Sequence, residues 1–170
     1  CLLSGGLDSS LIAGILATLM PPGELETFSI GLEGSVDLEH AQMVADYLGT
    51  NHHQVVVSEE EMLGTIEEDI HKIESYDTTT IRASTPMYIL SKYIRDNSDA
   101  VVIFSGEGSD EASGSYMYFH NAPSPEAFKD ETFRLMDDMC YFDVLRCDKS
   151  TAGAGLEVRV PFLDKDFLKY

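Results

Sequence analysis

The sequence is poor in residues that several classes of protein require. Among 170 residues there are no tryptophans, three cysteines and only 11 lysines and arginines. Cys1, Cys140 and Cys147 are too few and too irregularly spaced for a zinc site or a disulfide framework. Cys140 and Cys147 lie seven positions apart, so we expect them to pack on one face of a single helix. Sparse cysteine predicts a reducing, cytoplasmic setting.

Long apolar runs are also missing. No stretch approaches the length of a membrane span, and the first residues do not form a signal peptide. The scarcity of basic residues leaves a formal net charge of −19, which argues against nucleic acid and anionic membranes as partners. A nucleotide would meet the same repulsion, so backbone amides, helix termini and a divalent cation would have to attract it.

What is present is enough for one globular domain. The chain of 18.8 kDa is 44% hydrophobic, which supplies apolar side chains for a sizeable core. It does not begin with Met, and it ends on VRVPFLDKDFLKY without an obvious terminal element. We therefore expect an internal piece of a longer protein. Cys1 is then the end of an apolar strand and not a glutaminase nucleophile, because no base stands near it.

The spacing of apolar residues predicts alternating strands and helices. Helices are expected from about Asp8 to Leu19, from Asp37 to Leu48, from Met62 to Ile73, from an N-cap at Thr85 before Pro86, and after Pro125. Strands are expected at residues 26–30 and 53–57, and a buried parallel strand is expected at residues 100–104. This order predicts an α/β fold with a Rossmann-like open parallel sheet and helices on both faces. Ligands would bind beyond the carboxyl ends of its strands.

The stretch Ser4-Gly5-Gly6-Leu7-Asp8-Ser9 follows a strand end and opens a helix. Its glycines allow the backbone to approach an anion, and its serines and the free helix amides supply donors. The lysine of a Walker A loop is missing. Asp8 would repel phosphate unless it held Mg²⁺. The pattern predicts a phosphate-binding loop, and the alternative is a plain turn with Asp8 as the helix N-cap.

A second stretch of small residues, SGEGSDE from Ser105 to Glu111, follows the strand expected at residues 100–104. It carries three carboxylates, on Glu107, Asp110 and Glu111. Like charges at this spacing raise one another's pKa or require a cation. The alternative is a solvated acidic turn, but a second glycine-rich loop at a strand end favours a ligand site.

Six stretches stand in the order and spacing of one known family. SGGLDSS resembles the pyrophosphate-binding loop of the ATP pyrophosphatases, the PP-loop enzymes of adenine nucleotide alpha hydrolase-like fold. The further stretches are FSIGLEGSVDL, SYDTTTIRASTPMY, FSGEGSDE, YFHNAPSP and GLEVRVPFLD. Together the six are similar to the synthetase domain of glutamine-dependent asparagine synthetases, above all the animal type. The resemblance runs from Cys1 to about Phe167.

This resemblance implies an ATP site with magnesium. Leu2, Ile30, Ser105 and Gly106 would contact the adenosine, and the loop would hold pyrophosphate through Ser4, Gly5, Gly6, Leu7, Asp8 and Ser9. Asp8 and Asp110 would bind Mg²⁺. Glu107 would support formation of a β-aspartyl-AMP intermediate and its attack by ammonia. Asp37 matches an acidic position of the same site, so Glu107, Asp110 and Asp37 are the expected catalytic residues.

The resemblance also implies the second substrate. Thr79, Thr80 and Arg82 match a segment associated with aspartate, and the planar fork of an arginine suits a carboxylate. The alternative for Arg82 is a surface position on a loop. The implied reaction joins the β-carboxylate of aspartate to AMP with release of pyrophosphate. Ammonia, taken from glutamine in the full-length enzyme, then replaces AMP to give asparagine.

Residues 1–170 would thus be a partial asparagine synthetase domain. The N-terminal glutaminase domain and the C-terminal part of the synthetase domain with its catalytic lysine would be absent, so we expect no glutamine-dependent activity from this segment alone. The glutaminase domain of the same chain is the implied partner, and a homodimer is compatible with the resemblance. At Ser113, Ser115 and Ala154 the sequence differs from the family pattern. These positions lie beside the motif residues and not on them.

Two alternatives remain open at this stage. One is a related PP-loop enzyme that adenylates a different carboxylate, such as a β-lactam synthetase. The other is a non-catalytic remnant that keeps the fold as a binding module. The TTIRAS and NAPSP segments favour asparagine synthetase over the first, and the two intact glycine-rich loops argue against the second.

Overall fold

The structure is a computed structural model that describes residues 1–170. Its helices are α1 (Leu7–Leu19), α2 (Val36–Leu48), α3 (Glu59–Ile73), α4 (Thr78–Asn97), α5 (Ser109–Ser113), α6 (Pro125–Asp138), α7 (Asp143–Gly153) and α8 (Lys165–Lys169). Its strands are β1 (Glu26–Leu32), β2 (Asn51–Val57), β3 (Val102–Phe104) and β4 (Glu157–Arg159). Three short 3₁₀ helices lie at Met117–Asn121, Met139–Tyr141 and Pro161–Leu163. No helix combines the length and the apolar character that crossing a bilayer requires.

The strands form two small parallel sheets, and the fold is mixed α/β with mostly helical content. In the first sheet Glu26 of β1 lies opposite Asn51 of β2, and in the second Val102 of β3 lies opposite Glu157 of β4. Residues 1–3 run between the two sheets. The Leu2 N–H donates to the Phe104 carbonyl at 2.9 Å, and the Leu3 N–H donates to the Phe28 carbonyl at 2.8 Å.

Helices α1 and α2 form as the apolar spacing predicts. Leu38, Ala41 and Ala45 are the buried face of α2, and Gly49 ends that helix in the left-handed region at φ 68°. Ala13 of α1 and Ala41 of α2 have no exposed surface. Alanine at both positions lets the two helices approach closely beside Leu3, which fixes α1, and the loop before it, against α2 and residues 1–3.

The main core cluster joins both sheets to α4. It contains Phe28 of β1, Leu90 and Ile94 of α4, Ile103 of β3, and Leu156 just before β4. Burial of large apolar side chains stabilises such a cluster by about 2 kcal/mol for each residue. The cluster therefore places α4 across the strand ends, where its N-terminal half can contribute to a site.

The expected N-cap at Thr85 is wrong. Helix α4 begins at Thr78, and its N-cap is Asp77, whose carboxylate accepts the Thr80 N–H at 2.7 Å. Pro86 lies inside the helix, although an interior proline costs roughly 3 kcal/mol. Tertiary burial overrides this local cost, because α4 buries residues on both sides of the proline: Ile81, Ser84, Thr85, Tyr88, Leu90 and Ile94.

The strand expected at residues 100–104 is shorter and less covered than predicted. Only Val102–Phe104 is extended, and only Ile103 of that strand is buried. Val101 and Val102 are 65% and 44% exposed, so the run AVVIF is buried only in part. Ile103 packs on α4, whereas nothing in the chain covers Val102 to the same extent.

The expectation of one helix carrying both Cys140 and Cys147 is also wrong. Cys140 is exposed in the 3₁₀ helix Met139–Tyr141, whereas Cys147 is buried in α7. Phe142, at φ −124° and ψ −97°, lies outside helical geometry and separates the two elements. A continuous apolar spacing therefore hid a break in the backbone. Only Cys147 packs as expected.

Candidate active site

The first glycine-rich loop is a tight turn between residues 1–3 and α1. The Ser4 and Ser9 hydroxyls lie 3.0 Å apart, and the Ser9 hydroxyl also donates to the Gly6 carbonyl at 3.2 Å. Gly5 has φ 80°, and a Cβ there would lie 2.5 Å from the His40 carbonyl carbon, so glycine is required. Gly6 is the N-cap of α1 and makes no side-chain cap. The alternative with Asp8 as N-cap is therefore excluded.

The second glycine-rich loop lies directly against the first. A Cβ on Gly106 would lie 3.1 Å from the Ser9 nitrogen, so the two backbones approach as closely as glycine allows. The Ser109 hydroxyl donates to the Asp8 carboxylate at 2.9 Å. Two stretches about a hundred residues apart in sequence thus form one surface. The carboxyl ends of residues 1–3 and of β3 bring them together.

Both loops line a cavity of about 420 Å³, called here the acidic cavity. Phe28, Ser29 and Ile30 of β1 contribute to its lining, as do residues of α4 and α7. Six carboxylates and a single cationic side chain face it, namely Asp8, Asp37, Glu107, Asp110, Glu111, Asp143 and the guanidinium of Arg146. An anionic ligand can enter such a cavity only with compensating cations.

Glu107 and Arg146 form the charged centre of the cavity. The Arg146 guanidinium lies 3.4 Å from the Glu107 carboxylate and also pairs with Asp143. Burial raises the pKa of Glu107, and the Arg146 charge opposes that rise. Burial and the nearby Glu107 raise the pKa of the Cys147 thiol to about 12, so this cysteine is not a nucleophile at neutral pH.

Two more acidic residues are tied into the cavity wall. Glu111 is buried and accepts a hydrogen bond from the Tyr116 hydroxyl. Burial and this contact raise the pKa of Tyr116 above its ordinary value. Asp110 accepts a hydrogen bond from Ser115, one of the departures noted in the sequence. Ala154, another departure, is buried and fills a place in the packing of the chain.

Most of the expected ATP-site and catalytic residues line the acidic cavity. They are Leu2, Ser4, Gly6, Asp8, Ser9, Ile30, Asp37, Ser105, Gly106, Glu107 and Asp110. Gly5 lies behind the loop against α2, and the Leu7 side chain is 83% exposed. The structure therefore brings these residues together, while the role of each stays a prediction.

The residues expected to bind aspartate do not line the acidic cavity. Thr80 is buried, and its N–H is bonded to the Asp77 cap. Arg82 lines a neighbouring hollow of about 690 Å³, called here the apolar groove, whose walls include Met62, Leu63 and Ile66 of α3. The residues of α4 that line the acidic cavity are instead Ala83, Pro86, Met87 and Leu90.

The sequence reasoning missed several residues of this cavity. Asp143, Arg146 and Tyr116 carry chemistry but lie outside the motifs that were singled out. An Asp and an Arg three positions apart at the start of a helix could have drawn attention to α7, because arginine is rare in this chain. Phe28, Ser29, Ala83, Pro86 and Met87 lie within the quoted stretches but had no expected role, whereas Leu90 lies outside them and reaches the cavity by packing.

The donor set suits Mg²⁺ only in part. No group of three or more His, Cys, Asp or Glu side chains stands close enough to hold a metal. Asp8 and Asp110 line the same cavity, and each has one oxygen engaged by a serine hydroxyl. Magnesium is commonly held by one or two carboxylates and completed by phosphate oxygens and water. The residues present fit a cation that arrives with a phosphate.

A family model described as asparagine synthase matches residues 1–131 and 121–170, which together cover the chain. The chain belongs to the asparagine synthase family. It is 54% identical over its whole length to the asparagine synthetase [glutamine-hydrolyzing] of Rattus norvegicus and to that of Gallus gallus, and 53% identical to that of Homo sapiens. The chain spans 31% of the length of each of these relatives.

Proposed function

We propose that the protein is an ATP-dependent amide ligase that converts aspartate to asparagine. The aspartate β-carboxylate attacks the α-phosphorus of ATP, the bond to pyrophosphate breaks, and ammonia then displaces AMP from the β-aspartyl-AMP. The observation that carries this proposal is the contact of two glycine-rich loops beside one acidic cavity in a chain of the asparagine synthase family. The glutamine-hydrolysing relatives support the same reaction.

The first loop and α1 would bind the leaving pyrophosphate. The first intrahelical bond of α1 is made by the Ser10 N–H, so the N–H groups before it have no helix partner. Together with the helix dipole they offer donors to an anion beside Ser4 and Ser9. Asp8 and Asp110 would hold Mg²⁺, which when bound neutralises phosphate charge. Leu2, Ile30, Ser105 and Gly106 would contact adenosine.

Glu107 would act at the reacting carboxylate. Burial keeps its pKa above the ordinary value, and Arg146 at 3.4 Å limits that shift and fixes the side chain. A carboxylate in this position can take a proton when ammonia attacks the acyl-adenylate. Asp37 lines the same cavity. Thr79, Thr80 and Arg82 would bind aspartate from α4, beside the cavity, where Arg82 lines the apolar groove. Positioning and charge account for most of the rate in such a reaction.

The two small sheets would belong to one Rossmann-like open sheet. The hydrogen bonds of residues 1–3 to Phe28 on one side and to Phe104 on the other support the order β2, β1, residues 1–3, β3, β4. In this order the direction of chain winding reverses at residues 1–3. Open parallel sheets bind ligands at such a switch point, and the first loop begins there.

The ammonia would come from glutamine in a glutaminase domain of the same longer chain, as the names of the relatives suggest. A homodimer is a further part of the proposal. Three free cysteines support a reducing, cytoplasmic setting. A β-lactam synthetase-like activity or a non-catalytic module is not favoured, because the relatives across the whole chain are asparagine synthetases.

The deciding experiment measures pyrophosphate release from ATP by the full-length protein with Mg²⁺ and ammonia. We expect release to depend on aspartate and to equal the asparagine formed. Glutamate, one methylene longer, is the matched control and should support little release. Equal release with glutamate or other carboxylates would contradict the assignment to asparagine, and no release with any carboxylate would contradict a ligase.

A further inference from the structure

One buried carboxylate lies outside the acidic cavity and has no role in the proposed reaction. Asp69 of α3 has no exposed surface. Its Oδ2 accepts the hydroxyls of Ser84 at 2.5 Å and of Thr85 at 2.9 Å. Its Oδ1 is buried without a hydrogen-bond partner in the chain. Burying a carboxylate oxygen without a partner costs free energy of folding, which indicates a role for Asp69 beyond packing.

The Ser84 and Thr85 hydroxyls lie where the backbone hydrogen bonding of α4 is interrupted. Pro86 has no N–H to donate to the carbonyl of Arg82, four residues earlier. Ser84 and Thr85 directly precede this gap, and both also reach the Ile81 carbonyl, at 3.2 and 2.9 Å. Serine and threonine that bond back to the preceding turn tend to bend a helix. The segment Ile81–Met87 is therefore a natural site of bending, and Asp69 ties it to α3.

This same segment forms the wall between the two hollows of the molecule. Ala83, Pro86 and Met87 line the acidic cavity, whereas Ile81, Arg82 and Thr85 line the apolar groove. Bending of α4 within this segment would rotate Arg82 and shift the cavity wall together. Ser84 and Thr85 point away from the cavity into the contact with α3, so Asp69 can act on the wall without touching a ligand.

We propose that Asp69 is a positioning residue that holds α4 in place at the interrupted turn before Pro86 and so sets the placement of Arg82 and the cavity wall for the carboxylate substrate. The part concerning the substrate rests on the proposed function. Asp69 would affect aspartate binding and leave ATP binding unchanged, because the two glycine-rich loops make no hydrogen bond to it.

The charge state of Asp69 suggests the sharpest variant. Burial raises its pKa, and Glu68 adds to the rise, while the hydroxyls of Ser84 and Thr85 and the charge of Lys92 oppose it. An asparagine amide has nearly the same shape as the carboxyl group, and its carbonyl oxygen can accept from both hydroxyls as Oδ2 does. Asp69→Asn should therefore preserve the contact between α3 and α4 at this point, whereas Asp69→Ala should remove it.

The test compares these variants in the full-length protein. For Asp69→Ala we expect KM for aspartate to rise roughly tenfold, with KM for ATP within about twofold, since small misplacement of a binding group is expensive. Asp69→Asn should stay within about twofold of the wild type in both constants. The pair Ser84→Ala with Thr85→Val removes the same hydrogen bonds from the α4 side and should reproduce the effect of Asp69→Ala.

A matched control removes a different hydrogen bond between the same two helices. The Tyr88 hydroxyl donates to Glu68 at 2.7 Å, close to Asp69 but outside both hollows. Tyr88→Phe should lower the unfolding temperature without raising KM for aspartate. If Asp69→Ala and Tyr88→Phe change both KM values alike, or if Asp69→Ala leaves KM for aspartate unchanged, the positioning role is wrong.

Hydrogen–deuterium exchange separates this inference from the proposed function. Asp69→Ala should accelerate amide exchange in residues 81–87, and Asp69→Asn and Tyr88→Phe should not. This readout needs no catalysis. If wild-type protein shows no aspartate-dependent turnover, the proposed function is wrong. The exchange rates of residues 81–87 still test whether Asp69 holds this part of α4 in place. Unchanged exchange in folded Asp69→Ala protein would overturn the inference. Should that variant fail to fold, the Ser84→Ala, Thr85→Val protein provides the same comparison.

Discussion

The loop side and the α4 side of the acidic cavity are built in different ways. On the loop side, Ser4–Ser9 and Ser105–Glu111 follow strand ends, and their backbones touch through Gly106. On the α4 side, the wall comes from one long helix whose position depends on core packing and on the Asp69 contacts. The loop side is specified by local turns, and the α4 side by tertiary contacts. Substitutions should therefore act on nucleotide and carboxylate binding separately.

The largest effect is expected at Glu107, on the loop side, where it pairs with Arg146. Glu107→Ala should keep ATP binding within about twofold but slow aspartate-dependent pyrophosphate release by about 10²–10⁴-fold, the range for a lost acid–base group. ATP affinity by calorimetry and a pyrophosphate assay provide the two measurements. Glu157→Ala, which removes an exposed carboxylate on β4, is the control and should be active. Full synthesis by Glu107→Ala would remove this residue from the mechanism.

The next effect tests the loop side alone. Gly5→Ala places a Cβ against His40 at positive φ and should lower the free energy of unfolding by about 2 kcal/mol. It should also weaken ATP binding because the loop must shift. Gly14→Ala is the matched control, since a methyl group at that position would meet nothing within 4 Å, and alanine favours a helix by up to about 1 kcal/mol. Equal stability of the two variants in chemical denaturation would contradict the tight turn.

A smaller effect tests the α4 side. Arg82→Ala should raise KM for aspartate by about tenfold, because a charge-assisted hydrogen bond to the substrate would be lost. KM for ATP should stay unchanged. Arg95→Ala is the control, because Arg95 lies on the same helix and pairs only with its exposed neighbour Asp96. A rise in KM for ATP, or none for aspartate, would show that the two sides do not bind separate substrates.

The smallest effect concerns stability and pH. The folded-state pKa of Glu107 is raised by burial, so the unfolded chain releases this proton first as pH rises. Ionisation of Glu107 therefore destabilises the fold above the ordinary pKa of a glutamate. Glu107→Gln should have a higher unfolding temperature than the wild type at neutral pH, and the difference should vanish as the pH falls below about 4. A difference that grows at low pH would contradict this sign.

Secondary structure was predictable where local signals agreed. The helices α1, α2 and α3 and the strands β1 and β2 form near the expected positions because apolar spacing and end signals coincide, as at Gly49. The prediction failed where tertiary packing opposed a local signal. Pro86 indicated a helix start, but burial along α4 carried the helix through it. The spacing through Cys140 gave no sign of the break at Phe142.

The sequence by itself determined the chemistry of the two loops. Glycine and serine in SGGLDSS and SGEGSDE permit close backbone approach and supply donors, and their carboxylates make the loops acidic whatever surrounds them. Only the tertiary structure decided which other groups share the cavity. Arg146, which also pairs with Asp143, reaches Glu107 from a helix about forty residues away, and Asp69 reaches α4 from α3. Such contacts depend on how helices pack, and packing is a property of the whole chain.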